Sequence, residues 1–502
     1  MFEFSNLIFA TDAVFSVPNL LAIFIGSIIG CVVGALPGAT ATMAIAVMIP
    51  LTFWFSAEVS LLLLISVYTS GIFGGAITAI LLNIPGTPAS AATCFDGYPL
   101  AQQGQAGKAI TVSLISSLVG GLISGLALLL CAPALAAIAL RFGPPESMMV
   151  ALFGLTMVAS LSSENLAKGL MMGALGMFLG CVGMEPNTGY PRFTFGNPNF
   201  LSGFAVVPVL IGVFSVPEVL KMVSSKGWSK PTVKNKLGLS WLELKKISKT
   251  MGVSTVIGLI VGLIPAIGPE TATFLGYDRA KRMSKEKEKF GKGALEGVAA
   301  SETANQAVVG TSLAPMFALG IPGSGAAMVL MGGLMIHGLM PGPHLFRENQ
   351  DLMMTLFIGF IVAQFFMVFV GIVAGKFAPL VLNIPHKFMG PVIMIVCMVG
   401  TFACNNNMLD VFVMLISGFI AYYLLRVGFS PVPLVLGLVL GPVFEVEMGR
   451  TLTLASKAGF TSYMMGRPIA LCIFALTVLT FALPVWMSLK ERHRQSLKKA
   501  AD

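Results

Sequence analysis

Charge is scarce in this 502-residue chain: 11% of residues are Asp, Glu, Lys or Arg, against 56% hydrophobic residues and a mean hydropathy of +0.88. That composition excludes a soluble globule, since apolar runs near the roughly 20 residues that cross a bilayer recur throughout. Histidine is nearly absent, with four copies and no HExxH spacing. The seven cysteines (Cys31, Cys94, Cys131, Cys181, Cys397, Cys404 and Cys472) are odd in number and scattered, with no metal-ligand spacing. They read as buried small hydrophobes, and no metal centre is expected. The N-terminal MFEFSNLIFATDAVF has no basic n-region, so it does not read as a cleaved signal peptide and the first span is expected to be retained. Positive charge is missing from most of the first half. Only Lys108, Arg141, Lys168 and Arg192 precede Lys221, and the other 27 of the 31 Lys and Arg lie from there onward. Three clusters stand out among them, Lys221 to Lys249, Arg279 to Lys292 and Lys490 to Lys499, between or after apolar runs. The net charge of +9 therefore marks cytoplasmic loops by the positive-inside rule, and no nucleic-acid partner is expected.

What the chain does have is interrupted apolar segments that come in pairs. Ala299 to Phe346 places Glu302, Thr303, Asn305 and Gln306 inside an apolar run, then breaks it at Gly320-Ile321-Pro322-Gly323-Ser324-Gly325. Earlier, Asn83-Ile84-Pro85-Gly86-Thr87 breaks a similar run. Upstream of each lies a second break, Gly34-Ala35-Leu36-Pro37-Gly38-Ala39-Thr40 in the first copy and Gly262-Leu263-Ile264-Pro265-Ala266-Ile267-Gly268 in the second. The offsets are 228 residues for Pro37/Pro265 and 237 for Pro85/Pro322, which places the extra residues, with the lysine-rich run, between the two breaks of the second copy. Pro208-Val209-Leu210-Ile211-Gly212 and Pro433-Leu434-Val435-Leu436-Gly437 extend the likeness. Gly- and Pro-interrupted segments at matching places in two halves point to the binding site of a secondary transporter. The expected fold is an all-α polytopic membrane protein of about twelve spans or hairpins, in two halves read as inverted repeats. Its parts are a first membrane repeat (1–222), a basic cytoplasmic linker (223–250), a second membrane repeat (251–466), and a final span with a basic cytoplasmic tail (467–502). Residues 250–278 lie between two basic runs and are broken at Pro265 and Pro269, too short for two crossings of about 20 residues each, so they are expected to form a re-entrant helical hairpin. The Phe95-Asp96-Gly97-Tyr98-Pro99 stretch reads as a turn.

A spanning helix can be interrupted only where its freed N–H and C=O groups are buried in protein or line a wet cavity. Each downstream helix starts with unpartnered N–H groups that carry about half a positive charge and attract anions. The candidate substrate residues are Pro37, Gly38, Thr40, Asn83, Pro85, Gly86, Thr87, Pro265, Gly268, Pro322, Gly323 and Ser324; small residues let a ligand reach the backbone and the hydroxyls add donors. None of these tips contains Lys or Arg. Glu302, Asp96 and Glu270, with the neutral oxygens of Thr303, Asn305 and Asn83, are candidates for a coupling ion, Na+ or H+, and no other cofactor is expected. Plainer readings stand beside them. Glu270 also suits a helix N-terminal acid, Glu302 a solvated residue at the end of its span, Asp96 a turn former, and His337 a packed helix position. The acids have no nucleophile or metal partner at catalytic spacing, so an enzyme is not expected.

Taken together, Gly34-Ala35-Leu36-Pro37-Gly38, Ala79-Ile80-Leu81-Leu82-Asn83-Ile84-Pro85-Gly86-Thr87-Pro88, Thr93-Cys94-Phe95-Asp96-Gly97-Tyr98-Pro99, Phe290-Gly291-Lys292-Gly293 with Glu296-Gly297, and Leu319-Gly320-Ile321-Pro322-Gly323-Ser324 resemble the large membrane subunit of the tripartite tricarboxylate transporters, the TctA family. The resemblance runs from about Gly34 to Gly441. It implies a multi-pass bacterial inner-membrane permease with a cytoplasmic C-terminus, working with a small TctB-like membrane subunit and a periplasmic TctC-like solute-binding protein. Such a system takes up citrate or another di- or tricarboxylate by ion-gradient-driven symport, and no Walker A pattern for ATP is present. The second copy departs from the first, with Pro265-Ala266-Ile267-Gly268 where the first has Pro37-Gly38, so the two tips need not grip a ligand equally. A channel-like or scaffolding subunit and a stand-alone carboxylate symporter are the competing readings. In a cysteine-free background, Lys285→Cys is expected to be shielded from a membrane-impermeant maleimide in intact cells and labelled after permeabilisation; labelling in intact cells contradicts the orientation.

Overall fold

A computed structural model describes residues 4–36, 39–161, 166–186, 188–224, 238–264, 268–381, 386–457, 459–480 and 482. The first part of the chain forms α1 (Phe4–Val14), α2 (Val17–Gly34), α3 (Ala41–Met48), α4 (Ala57–Leu82), α5 (Ala91–Gln102), α6 (Ala106–Ala139), α7 (Pro144–Leu161), α8 (Leu166–Gly180) and α9 (Val206–Ser224). The second forms α10 (Trp241–Leu263), α11 (Gly268–Met283), α12 (Leu295–Leu319), α13 (Gly325–Ile336), α14 (Pro343–Glu348), α15 (Gln350–Val381), α16 (His386–Asn405), α17 (Met408–Arg426), α18 (Val432–Ala455) and α19 (Phe460–Met465). Among the described residues, seven helices (α2, α4, α6, α10, α15, α17 and α18) are long and apolar enough to cross a membrane. The fold is all-α and polytopic, with a single two-stranded ribbon, β1 (Gly183–Met184) and β2 (Pro191–Arg192), among the described residues. Residues 225–237 of the basic linker and most of the C-terminal tail lie outside them.

The chain divides into two compact units, Met1–Ala139 with Leu210–Phe419, and Leu140–Val209 with Ile420–Asp502. Each draws on both halves of the sequence. In the first unit the repeat governs packing. The helix α4 buries every residue from Ser60 to Leu81, and α12 buries every residue from Gly297 to Ala318, the same stretch displaced by 237 positions. Against α4 lies α2, which carries Gly26, Gly30 and Gly34 at four-residue spacing; a side chain at Gly30 or Gly34 would run into the carbonyl of Val67 or Gly71. Against α12 lies α10, where Gly258 and Gly262, displaced by 228 from Gly30 and Gly34, meet the carbonyls of Ala304 and Val308. Small residues four apart let helix backbones approach where lipid supplies no hydrophobic drive. Two further contacts exchange between the copies, α6 packing on α12 and α15 on α4.

The same exchange extends outward. In the second unit α18 packs on α7 and α8, with Gly437 against the carbonyl of Gly173. In the first unit the matching glycine of α9, Gly212, meets the carbonyl of Met414 on α17. Each group thus joins helices of one half to a helix of the other.

The residues on either side of the second copy's first break form a helical hairpin, α10 packed on α11, and α10 at 23 residues is among the helices long and apolar enough to cross a membrane. It starts earlier than the charge pattern implies, because Ser240 and Glu243 form a capping box that opens α10 at Trp241, inside the basic linker. The long run after Ala109 is one helix, α6, with Pro133 in its interior. One local expectation is corrected. Asp96 lies within helix α5, not in a turn. Thr93, Asp96, Gly97 and Leu100 are buried at helical spacing, and tertiary packing of that face overrides the turn preference of Asp-Gly-Tyr-Pro. Asp96 is fully buried. Its Oδ1 accepts from the N–H groups of Gly291 (2.8 Å), Gly293 (2.9 Å) and Ala294 (2.8 Å), and its Oδ2 from the Tyr277 hydroxyl (2.8 Å). The carboxylate thereby ties α5 to the lysine-rich connection between α11 and α12. Nearby, Gln103 Nε2 donates to the Lys292 carbonyl (2.7 Å). On the same connection, Glu286 pairs with Lys246 and Lys289, which hold its carboxyl below the usual range.

Hydrogen bonds to a charged group contribute about 1.5–3 kcal/mol each. Asp96→Ala is therefore expected to free the 285–292 segment and raise its trypsin cleavage rate roughly tenfold or more in detergent; digestion at the native rate contradicts this anchor.

Candidate functional site

The helix on each side of a break is finished by a matching device. Asn83 closes α4 in the left-handed conformation (φ 57°), and Gly320, displaced by 237, closes α12 in the same way (φ 71°). Downstream, Ser324 caps α13, its Oγ accepting from Ala327 N (3.1 Å). Thr40 caps α3, its Oγ1 accepting from Met43 N (3.1 Å). In the first copy Thr87 Oγ1 and Ser90 Oγ bond each other (3.0 Å) at the entrance to α5.

Within each copy the two breaks touch. A side chain at Gly86 would strike the carbonyl of Gly34 at the end of α2, and one at Gly323 would crowd the carbonyl of Gly262 at the end of α10. Between copies they cross. The start of α13 lies against α3, with Gly325 beside Thr42, while α11 lies against the Pro88–Ser90 turn that opens α5. Tyr68 of α4 joins the second copy directly, its hydroxyl bonding Ser324 Oγ (2.8 Å) and Ser312 Oγ (3.4 Å). Four helix N-termini and a set of hydroxyls are thus gathered in one place, and no basic side chain comes from the breaks themselves.

The predicted substrate residues Thr40, Asn83, Pro85, Gly86, Thr87, Gly268, Pro322, Gly323 and Ser324 all lie at these four breaks, whereas Pro37, Gly38 and Pro265 lie outside the described residues. The predicted ion-coupling residues separate. Glu302, Thr303 and Asn305 are fully buried in α12. Glu302 Oε1 accepts the Thr93 hydroxyl of α5. The Ser113 and Ser117 hydroxyls of α6 lie beside the same carboxylate, yet Oε2 and both hydroxyls lack a partner of good hydrogen-bond geometry. Thr303 Oγ1 and both polar atoms of the Asn305 amide are likewise unpartnered. Buried polar groups are almost always satisfied, so this concentration on one stretch of α12 is unusual among the described residues. Next to them Gln306 Nε2 reaches the Thr69 carbonyl (3.2 Å) and Gln364 Oε1 (3.1 Å).

Glu270 lies in the first turn of α11, its carboxylate turned back over Gly268 and near enough to the Tyr68 hydroxyl to act on it electrostatically, so it stands at the tips, apart from Glu302. Asp96 sits beyond Thr93 along α5, with both oxygens engaged as described above. His337 closes α13 and bonds Thr52 Oγ1 (3.1 Å). The sequence reading passed over Tyr68, Ser90, Thr93, Ser113, Ser117 and Ser312 as site residues. One signal was available: Thr87, Ser90, Thr93 and Asp96 recur every third position through an otherwise small or apolar stretch.

Residues 20–436 match the family described as the tripartite tricarboxylate transporter TctA family. An Agrobacterium vitis protein described as an "Uncharacterized 52.8 kDa protein in TAR-I ttuC' 3'region" is 33% identical over 491 residues, covering 97% of each chain. A second from that organism, described as an "Uncharacterized protein in TAR-II ttuC' 3'region", is 31% identical over 238 residues, 47% of this chain and 98% of its own. No solved structure matches the chain. With a match over most of its length, and helices that close and reopen at matching points in two copies, this chain belongs to the tripartite tricarboxylate transporter TctA family.

Proposed function

We propose that this chain is the membrane permease subunit of a binding-protein-dependent secondary transporter that imports citrate or another di- or tricarboxylate across the bacterial inner membrane. The observation that carries the reading is the crossed meeting of four helix breaks inside one buried core. A carboxylate placed there would accept from the first N–H groups of α13 and from the hydroxyls of Thr87, Ser90, Ser324 and Tyr68. Two tips facing one ligand suit a solute with two or more carboxylates. With neutral donors in place of Lys or Arg, the anion is held without a fixed ion pair and can be released.

A periplasmic TctC-like binding protein would deliver the solute and a small TctB-like membrane subunit would complete the assembly. The driving force is an ion gradient, Na+ or H+, with Glu302, whose Oε2 has no partner of good geometry, and Asn305 as the groups that answer to it. The lysine-rich connection and the C-terminal tail would face the cytoplasm.

Thr87→Ala and Ser324→Ala should each lower citrate counterflow in proteoliposomes roughly tenfold, the scale of one lost hydrogen bond to a charged group, with native amounts of protein incorporated. Native counterflow in both variants removes these hydroxyls from the site. A native protein that shows no exchange-stimulated uptake of any di- or tricarboxylate would favour the channel-like or scaffolding reading.

A further inference from the structure

Holding an anionic solute at the tips does not explain the cluster one turn further along α5. Glu302 is fully buried, and among the described residues no Lys, Arg or His forms an ion pair with it. The titratable neighbour beside it is the Cys94 thiol of α5. From α6 it meets hydroxyls, those of Ser113 and Ser117, and from α5 the hydroxyl of Thr93. An ionised carboxylate sealed from water without a countercharge is strongly disfavoured, so this one calls for a single positive charge from outside the protein. What it offers that charge is oxygen only: its own Oε2 and, beside it, the Ser113 and Ser117 hydroxyls of a facing helix. Hard oxygen donors of this kind suit a small monovalent cation or a proton.

The position of Thr93 gives the cluster a second meaning. Thr93 hydrogen-bonds Glu302 at one end of a short path, and Thr87 and Ser90 stand at the other end, on the tip that opens the same helix. A hydrogen bond to an ionised carboxylate is roughly twice as strong as one to a neutral group. Neutralising Glu302 therefore changes how firmly α5 is held, and α5 carries the tip. Coupling of this kind is reciprocal, so substrate at the tip alters cation affinity by the same factor.

We propose that Glu302, Thr93, Ser113 and Ser117 form the binding site of the coupling cation, and that Thr93 transmits its occupancy along α5 to the substrate tip at Thr87 and Ser90. This inference rests on the permease reading and adds to it a site and a route. Thr93 is a positioning residue for the carboxylate.

The test uses the full chain in proteoliposomes with citrate as probe, under a Na+ gradient at equal pH or a proton gradient without Na+. The arm that drives accumulation by the native protein identifies the cation. In Glu302→Gln, citrate transport should no longer respond to that cation, whatever rate remains. In Thr93→Val the cation concentration for half-maximal uptake should rise about tenfold, on the scale of one hydrogen bond to a charged group, and Thr93→Ser should restore it. Where Glu302→Gln is inactive, the Thr93 pair decides. Native cation dependence in Glu302→Gln, or an unchanged half-saturation in Thr93→Val, overturns the site while leaving the permease reading in place. Absence of exchange by the native protein, with citrate or with any other di- or tricarboxylate, at every cation concentration overturns both.

Discussion

A helix that stops inside a membrane leaves N–H and C=O groups that lipid cannot satisfy, and the architecture of this protein follows from where those groups are put. Each half interrupts its chain twice, and packing brings the described ends of these interruptions against one another. The close approaches that make this possible are glycine contacts. Gly30 and Gly34 let α2 reach the backbone of α4, Gly258 and Gly262 let α10 reach α12, and Gly86 and Gly323 set the second break of each copy against the end of its first. Left-handed closures at Asn83 and Gly320 then turn the chain so that a fresh helix starts with its positive end inward.

Around this arrangement the protein sorts its buried polar groups into two kinds. Asp96 is fully engaged, by three backbone amides and a tyrosine hydroxyl, and serves to dock the connection between α11 and α12. Glu302, Thr303 and Asn305, in the centre of α12, keep polar atoms without partners. The first kind builds the scaffold. The second keeps hydrogen-bonding capacity inside the core that the scaffold itself does not use.

Much of this was legible in the sequence, because a break in an apolar run is written in local residues. Asn-Ile-Pro-Gly-Thr and Gly-Ile-Pro-Gly-Ser announce their own geometry, and the offsets of 228 and 237 carry over to the buried faces of α4 and α12 and to their glycine contacts. The break between α10 and α11 followed from Pro265 and Pro269 between the basic runs. What stayed hidden depends on long-range contact. Asp96 reads as a turn former until the loop at Gly291–Ala294 supplies its partners, and nothing local shows that Thr93 meets a carboxylate on α12. The exchange of α9 and α18 between helix groups is equally invisible, since Gly212 and Gly437 identify a close neighbour without saying which helix it belongs to.

The crossing of breaks between the two copies is the claim on which the functional account stands, and the contact of Gly325 with Thr42 probes it directly. In a cysteine-free background carrying Thr42→Cys and Gly325→Cys, mild oxidation should give an intramolecular disulfide, seen by mass spectrometry of the joined peptides, and citrate should slow its formation. Cysteines that stay unlinked at those two positions while the protein remains folded would show that the tips do not meet.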